Sequence, residues 1–166
     1  MPRTPDIRFI KILKTLIESD VEFILVGGVA SVLQGAPVTT FDVNVVPRRT
    51  EENISRLMQA LESIKAHYRH SSDRNLRPGL SHPATPGHQL LITKFGPLDV
   101  LGMIGSNHGY DELSVHAEPM DLGDGTQIMV VSLPPVNPEQ IRSGHPKDQS
   151  TLEILRETLR LRDNTQ

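Results

Sequence analysis

Residues 23–46 read FILVGGVASVLQGAPVTTFDVNVV, and this segment carries more structural information than any other part of the chain. Its first four residues are a continuous β-prone apolar run, which predicts a strand buried on both faces. The run ends at Gly27 and Gly28, and residues 29–34 follow as a short predicted helix. A second apolar strand is predicted from Phe41 to Val46. The segment is therefore typical of a strand–helix–strand unit.

The rest of the chain alternates between amphipathic helices and short strands. Apolar residues spaced three and four apart predict a helix from about Pro5 to Ser19 with Thr4 as its N-cap, and a second helix that starts at Thr50. Four further strands and a last helix are predicted at residues 89–95, 98–103, 119–122, 127–131 and 147–162, with turns at Gly96-Pro97 and Gly123-Asp124-Gly125. We expect one α/β domain of the α+β type over residues 1–166, with a mixed sheet.

Composition excludes several classes of protein. The 166 residues include 17 Lys and Arg and 20 Asp and Glu, so the formal net charge is −3. Because affinity for nucleic acids depends on neutralising phosphates, this charge argues against general binding of DNA or RNA. There is no Cys, which excludes disulfides and thiolate metal sites. No apolar run approaches the ~20 residues that span a bilayer, so we expect a cytoplasmic protein that does not bind membranes.

Three polar residues in apolar surroundings are candidates for a cation site. Asp42 and Asn44 lie two apart on a predicted strand, so their side chains project to one side. Their oxygens are hard ligands of the kind that Mg²⁺ prefers. Asp99 interrupts an apolar run at residues 97–101, where an isolated carboxylate is costly unless it reaches solvent, a partner or a metal. If the two strands are neighbours, Asp99 completes the site; the alternative is polar residues at strand ends that face solvent.

The Gly27-Gly28 pair is a candidate for binding phosphate. It lies where a strand meets the start of a helix, so free backbone N–H groups and the positive end of the helix dipole are close by. Glycine also lets an anion approach the backbone closely. The alternative interpretation is a tight turn with no ligand, and a Gly pair alone does not distinguish the two.

The combined pattern resembles the nucleotidyltransferase superfamily that includes DNA polymerase β. It looks closest to the small bacterial minimal nucleotidyltransferases, some of which serve in toxin–antitoxin operons. The resemblance covers about Glu18 to Leu159 and consists of several separate motifs in family order. These motifs are VGGVA at 26–30, LQG at 33–35, TTFDVNVV at 39–46, LITKFGPLDVL at 91–101 and HPKD at 145–148.

The resemblance implies a mixed sheet with helices packed mainly on one face, and a reaction. A nucleoside monophosphate is transferred from a nucleoside triphosphate to an acceptor hydroxyl on a small molecule, a protein or an RNA end, with two Mg²⁺ ions. Asp42, Asn44 and Asp99 would bind the metals, and Asp99 would also help to deprotonate the acceptor. The nucleotide-binding residues implied by the resemblance are Gly27, Gly28, Thr40 and Lys147.

The chain departs from the family pattern at two positions. Active members carry Asp at both ends of a D-x-D pair, whereas the second position here is Asn44. Many relatives carry Arg shortly before the first Asp, where this chain has Val38. These departures support a second hypothesis: a catalytically degenerate nucleotide-binding or protein-interaction module, with a protein partner as in a toxin–antitoxin-like pair. A third is that the glycines and carboxylates are only structural.

Overall fold

The computed structural model describes residues 6–33, 42–69, 78–79, 87–104 and 108–131. Within these ranges the chain forms a seven-stranded sheet and four helices, of which the last has only five residues. In chain order the elements are α1 (Ile7–Glu18), β1 (Phe23–Val26), α2 (Gly27–Leu33), β2 (Val43–Pro47), α3 (Glu51–Ser63), β3 (His67–Tyr68), β4 (His88–Thr93), β5 (Gly96–Leu101), α4 (Tyr110–Ser114), β6 (Ala117–Asp121) and β7 (Gln127–Val131).

The sheet is mixed, and the predicted α+β class is confirmed. Its strand order is β3-β4-β5-β2-β1-β7-β6. The pairs β2–β5 and β1–β7 are parallel, and the other four pairs are antiparallel. The parallel pair β2–β5 joins two segments that are more than 50 residues apart in the chain.

Two apolar clusters cover the two faces of the sheet. The larger one combines side chains of α1, α2 and α3 with one face of the strands, among them Leu13, Leu33, Leu57, Leu25, Val43, Val45 and Leu98. The smaller one lies on the opposite face and includes Leu113 of α4, together with Ile24, Val26, Val46 and Leu101. Since β1 contributes to both clusters, the prediction that this strand is buried on both faces is confirmed. None of the helices in the described part of the chain is long and apolar enough to cross a membrane.

Local hydrogen bonds correct two predicted boundaries. Helix α1 begins at Ile7 with Asp6 as its N-cap, whose carboxylate accepts from the backbone N–H of Arg8 at 2.8 Å, so the predicted N-cap Thr4 is wrong. The turn between β4 and β5 consists of residues 94 and 95 rather than Gly96-Pro97. Thr93 Oγ1 closes this turn by donating to the Gly96 carbonyl oxygen at 2.8 Å and accepting from the Phe95 N–H. Both predicted boundaries were therefore displaced by about two residues, because the carboxylate of Asp6 caps the helix and the hydroxyl of Thr93 closes the turn.

Other predicted elements agree with the structure, and one lies outside the described residues. Thr50 caps α3 by accepting from the Asn53 N–H, as predicted. The hairpin at residues 123–125 is also confirmed, and Asp121 Oδ1 accepts from the N–H groups of Gly123 and Gly125. Helix α4 was not predicted, since five residues are too few for a periodic pattern. The predicted helix at 147–162 lies outside the described residues.

Asn53 connects the elements that flank the central strands. It is 0% exposed, and its Nδ2 donates to the carbonyl oxygens of Glu22 and Arg48 at 2.9 and 2.7 Å. Its Oδ1 accepts from the Glu22 N–H at 2.7 Å. One amide thus joins the residue before β1, the residue after β2 and the first turn of α3. This side chain holds β1 and β2 in register at the end opposite to Gly27.

Asn53→Ala is expected to lower the free energy of unfolding by about 2–3 kcal/mol, because it leaves partly buried backbone groups without their partner. Urea denaturation followed by circular dichroism measures this change. Arg56→Ala, an exposed position on the same helix, is the control and is expected to change stability by less than about 0.5 kcal/mol. If the two variants are equally stable, the Asn53 hydrogen bonds make no net contribution to the free energy of unfolding.

Candidate functional site

The parallel pairing of β2 and β5 brings two of the predicted site residues together. Asn44 lies directly opposite Asp99 in the register, and on its other side Asn44 is opposite Val26 of β1. The neighbours of Asn44 in β2 pack into the larger core, so Asn44 projects from the opposite face of the sheet, the face away from α1 and α3. Asp42 comes immediately before β2. The strands that carry Asn44 and Asp99, β2 and β5, are therefore neighbours in the sheet, as the predicted cation site requires.

The three polar side chains form one buried cluster. Asp42, Asn44 and Asp99 are 9%, 1% and 7% exposed. Asn44 Nδ2 donates to Asp42 Oδ1 at 3.3 Å, and the carboxyl groups of Asp42 and Asp99 interact electrostatically. Among the described residues, no group donates a hydrogen bond to Asn44 Oδ1, although this atom is buried. A buried amide oxygen in this state is available to a ligand that supplies positive charge.

The electrostatics of the cluster disfavour a second negative charge. Burial raises the pKa of Asp42 to about 7, and the adjacent carboxylate of Asp99 adds to this effect. The guanidinium of Arg69 and the amide of Asn44 lower the pKa of Asp42 but offset only part of the increase. Two carboxyl groups that share a buried site commonly behave in this way, and a bound cation relieves their repulsion.

Arg69 is a member of this site that sequence reasoning missed. Its Nη2 forms an ion pair with Asp99 Oδ1 and also donates to the Leu91 carbonyl oxygen at 3.0 Å. It follows the two-residue strand β3, whose pairing with β4 brings the side chain to the site. A two-residue strand is too short to leave a periodic signal in the sequence. No pattern in the sequence points to this contact.

Gly27 lies against the cluster at the junction of β1 and α2. Its φ is +74°, a left-handed conformation that favours glycine. A Cβ atom at this position would lie 2.5 Å from Asn44 Nδ2, so no larger side chain fits beside Asn44. Gly28 is the next residue of α2. Gly27 thus serves both a turn and a close approach of backbone to the polar cluster.

Gly27→Ala is expected to destabilise the protein by about 2–4 kcal/mol, through backbone strain and through displacement of the Asn44 side chain. Adding Asn44→Ala to Gly27→Ala removes the steric clash but not the strain, so the double variant is expected to lose less stability than the sum of the two single variants. A double-mutant cycle from urea denaturation measures the difference. Additive effects would mean that the two side chains do not interact.

Three other positions discussed from the sequence are not among the residues that the structure describes: Thr40, Lys147 and Val38. Within the part of the chain that the structure describes, no group of three or more His, Cys, Asp or Glu is arranged to hold a metal ion. The cluster at β2 and β5 has two carboxylates, of Asp42 and Asp99, and one amide, of Asn44, so it falls below three such residues.

No protein-family model matches the chain, and no curated protein matches its sequence. The family resemblance in the motifs therefore remains a hypothesis.

Proposed function

We propose that the chain is a nucleotidyltransferase-like protein that binds a nucleoside triphosphate with Mg²⁺ and transfers the nucleoside monophosphate to an acceptor hydroxyl. The observation that carries the proposal is the convergence of Asp42, Asn44 and Asp99. Asp42 and Asn44 are more than 50 residues before Asp99 in the chain, yet the three side chains form one buried cluster beside the Gly27 turn. Burial of two adjacent carboxyl groups is costly, and a bound cation would offset that cost.

The donor set fits a divalent cation. The carboxylates of Asp42 and Asp99 and the buried Oδ1 of Asn44 are hard oxygen ligands, which Mg²⁺ prefers. Bound there, the ion supplies positive charge that offsets the charge on the phosphates. Two carboxylates balance the charge of one Mg²⁺ ion. A second ion, as the family resemblance implies, would need the triphosphate oxygens and water for most of its ligands.

The protein residues have separate roles in the proposed reaction. The acceptor oxygen forms a bond to the α-phosphorus, the bond from that phosphorus to the bridging oxygen breaks, and pyrophosphate leaves. Asp99 accepts the proton of the attacking hydroxyl as its general base. Gly27 and Gly28 hold the triphosphate with backbone N–H groups, and Thr40 and Lys147 are further proposed nucleotide contacts. The acceptor is a small molecule, a protein or an RNA end.

The test uses purified protein with each of four nucleoside triphosphates labelled at the α-phosphate, Mg²⁺ and candidate acceptors. We expect label to appear on an acceptor together with released pyrophosphate, and Asp99→Asn to abolish transfer. A thermal-shift titration identifies the nucleotide first, because a ligand that binds only the folded state raises its stability. If no nucleotide binds in a Mg²⁺-dependent way and none is turned over, the proposal is wrong.

A second candidate function is a nucleotide-binding or protein-interaction module without catalysis. It is favoured by two features: residue 44 is Asn where the resemblance implies Asp, and Asp99 forms an ion pair with Arg69. Under this hypothesis the wild-type protein binds a nucleotide but does not transfer it, and it has a protein partner. Turnover by the wild-type protein at the rate of Asn44→Asp would exclude the second candidate. Turnover by Asn44→Asp alone would support it.

A further inference from the structure

The ion pair between Arg69 and Asp99 differs from the other ion pairs between described residues. The side chains of Arg69 and Asp99 are 24% and 11% exposed, whereas every partner in the other three pairs is at least 37% exposed. Exposed ion pairs contribute little to stability. In a mostly buried pair, removing one partner leaves the other charge without compensation, which is strongly unfavourable.

The guanidinium is held in place from several directions. The backbone N–H of Arg69 donates to the Leu90 carbonyl oxygen at 3.0 Å, and its Nε and Nη2 donate to the Leu91 carbonyl oxygen at 3.3 and 3.0 Å. Leu90 is opposite Asp99 in the pairing of β4 with β5. Arg69 is therefore anchored to the strand next to Asp99, and its charge lies beside one of the two carboxylates of the proposed cation site.

A guanidinium and a divalent cation on the same carboxylate repel each other. Asp99 Oδ1 already accepts from Arg69 Nη2. With Asp42 and Asp99 both ionised, as ligands of a divalent cation would be, and Arg69 as the cation of the cluster, the net charge of the three side chains is −1. Adding a divalent ion while Arg69 stays in place makes the charge positive in a buried site, which is unfavourable.

We propose that Arg69 is a built-in competitor of the divalent cation: it holds Asp99 in the cation-free protein, and the ion pair opens when the cation binds. This inference rests on the proposed function, since it requires that Asp42, Asn44 and Asp99 hold a cation. It assigns to Arg69 the role of setting cation affinity. Binding of the cation and contact of Arg69 with Asp99 are then thermodynamically coupled, so each weakens the other.

The experiment measures Mn²⁺ binding by isothermal titration calorimetry to wild type, Arg69→Gln, Arg69→Lys and Arg48→Gln. Arg69→Gln is expected to bind Mn²⁺ at least about tenfold more tightly, as coupling between two sites of this kind commonly amounts to 5- to 150-fold. Arg69→Lys keeps the charge and is expected to stay within a few-fold of wild type. Arg48, whose ion pair with Glu22 is exposed, is the matched control and is expected to leave the affinity unchanged.

The outcomes separate the two proposals. If Arg69→Gln and wild type bind Mn²⁺ equally, and Asp42→Asn abolishes binding in both, the competition is refuted and the proposed cation site remains. If neither these proteins nor Asn44→Asp bind Mn²⁺, the proposed site and the competition are both wrong.

A second measurement does not depend on the stability of the variants. In wild type labelled on arginine side chains, the Arg69 Nε–Hε resonance is expected to shift during a Mg²⁺ titration and to follow the binding isotherm. An unchanged resonance at saturating Mg²⁺ overturns the inference, because it means that the ion pair stays closed when the cation is bound.

Discussion

Asn44→Asp is expected to raise the affinity of the site for Mg²⁺ by at least about tenfold, while it destabilises the cation-free protein. The substitution keeps the size of the side chain and adds a carboxylate opposite Asp99 and next to Asp42. A third negative charge adds a strong electrostatic attraction for a divalent ion. The same charge has no partner when the ion is absent.

The cost to the cation-free protein follows from the burial of residue 44. Asn44 is 1% exposed, and its Nδ2 donates to Asp42 Oδ1. Asp at this position cannot donate when it is ionised, so the hydrogen bond becomes a repulsive contact between two carboxylates. We expect the free energy of unfolding without Mg²⁺ to fall by about 3 kcal/mol at pH 8, as is typical when a buried charge lacks compensation.

Thermal unfolding at pH 8 with and without Mg²⁺ measures both effects. The melting temperature of Asn44→Asp is expected to start below that of wild type and to rise more steeply with Mg²⁺ concentration. Asn53→Asp is the matched control, since it also places a carboxylate at a fully buried Asn but lies outside the cluster. It is expected to lose stability that Mg²⁺ does not restore. If Mg²⁺ affinity is the same in wild type and Asn44→Asp, residue 44 is not a metal ligand.

The sequence predicted most of the central sheet because its strands have distinctive local patterns. The apolar run Phe23–Val26 ends at a Gly pair, and the alternation around Asp42 and Asn44 gives both side chains one face. Asp99 was predicted as a site residue because it is an isolated carboxylate in an apolar strand. These signals identify which side chains share a face, but they do not identify which strands pair. The parallel register that places Asn44 opposite Asp99 is a property of the assembled sheet.

Two contacts near the centre of the fold had no signal in the sequence. Arg69 reaches Asp99 only because the two-residue strand β3 pairs with β4. Asn53 stands after two acidic residues in the first turn of a helix, a position that is usually exposed, yet it is 0% exposed. In both cases a polar side chain bonds to groups that are distant in the chain. Periodicity and capping rules describe local structure and do not report such contacts.

The raised pKa of Asp42 has a defined consequence for stability. In the unfolded chain an Asp titrates near pH 4, whereas burial and Asp99 raise the pKa of Asp42 to about 7 in the folded protein. Between these values the folded state binds more protons than the unfolded state. The free energy of unfolding therefore falls as the pH rises from about 4 to 7, and the contribution of Asp42 is lost above pH 7.

Asp42→Asn is therefore expected to be more stable than wild type at pH 8, by about 1–3 kcal/mol. Its free energy of unfolding is expected to fall less than that of wild type between pH 5 and pH 8. The amide carries no charge, it can accept from Asn44 Nδ2, and it can donate to the carboxylate of Asp99. Near pH 5 the wild-type carboxyl group is protonated, so the two proteins are expected to have similar stabilities. Urea denaturation at pH 5, 6.5 and 8 measures the comparison.

Glu118→Gln is the control for removing one negative charge, because Glu118 is an exposed residue of the edge strand β6. It is expected to leave the pH dependence of the wild-type protein unchanged. Asp42→Asn is also expected to abolish Mn²⁺ binding, so the same substitution gains stability and loses the ligand. A gain in stability together with a loss of ligand binding is typical when the substituted residue serves function rather than folding. An Asp42→Asn protein that is less stable than wild type at pH 8 would instead mean that the carboxylate at residue 42 stabilises the fold.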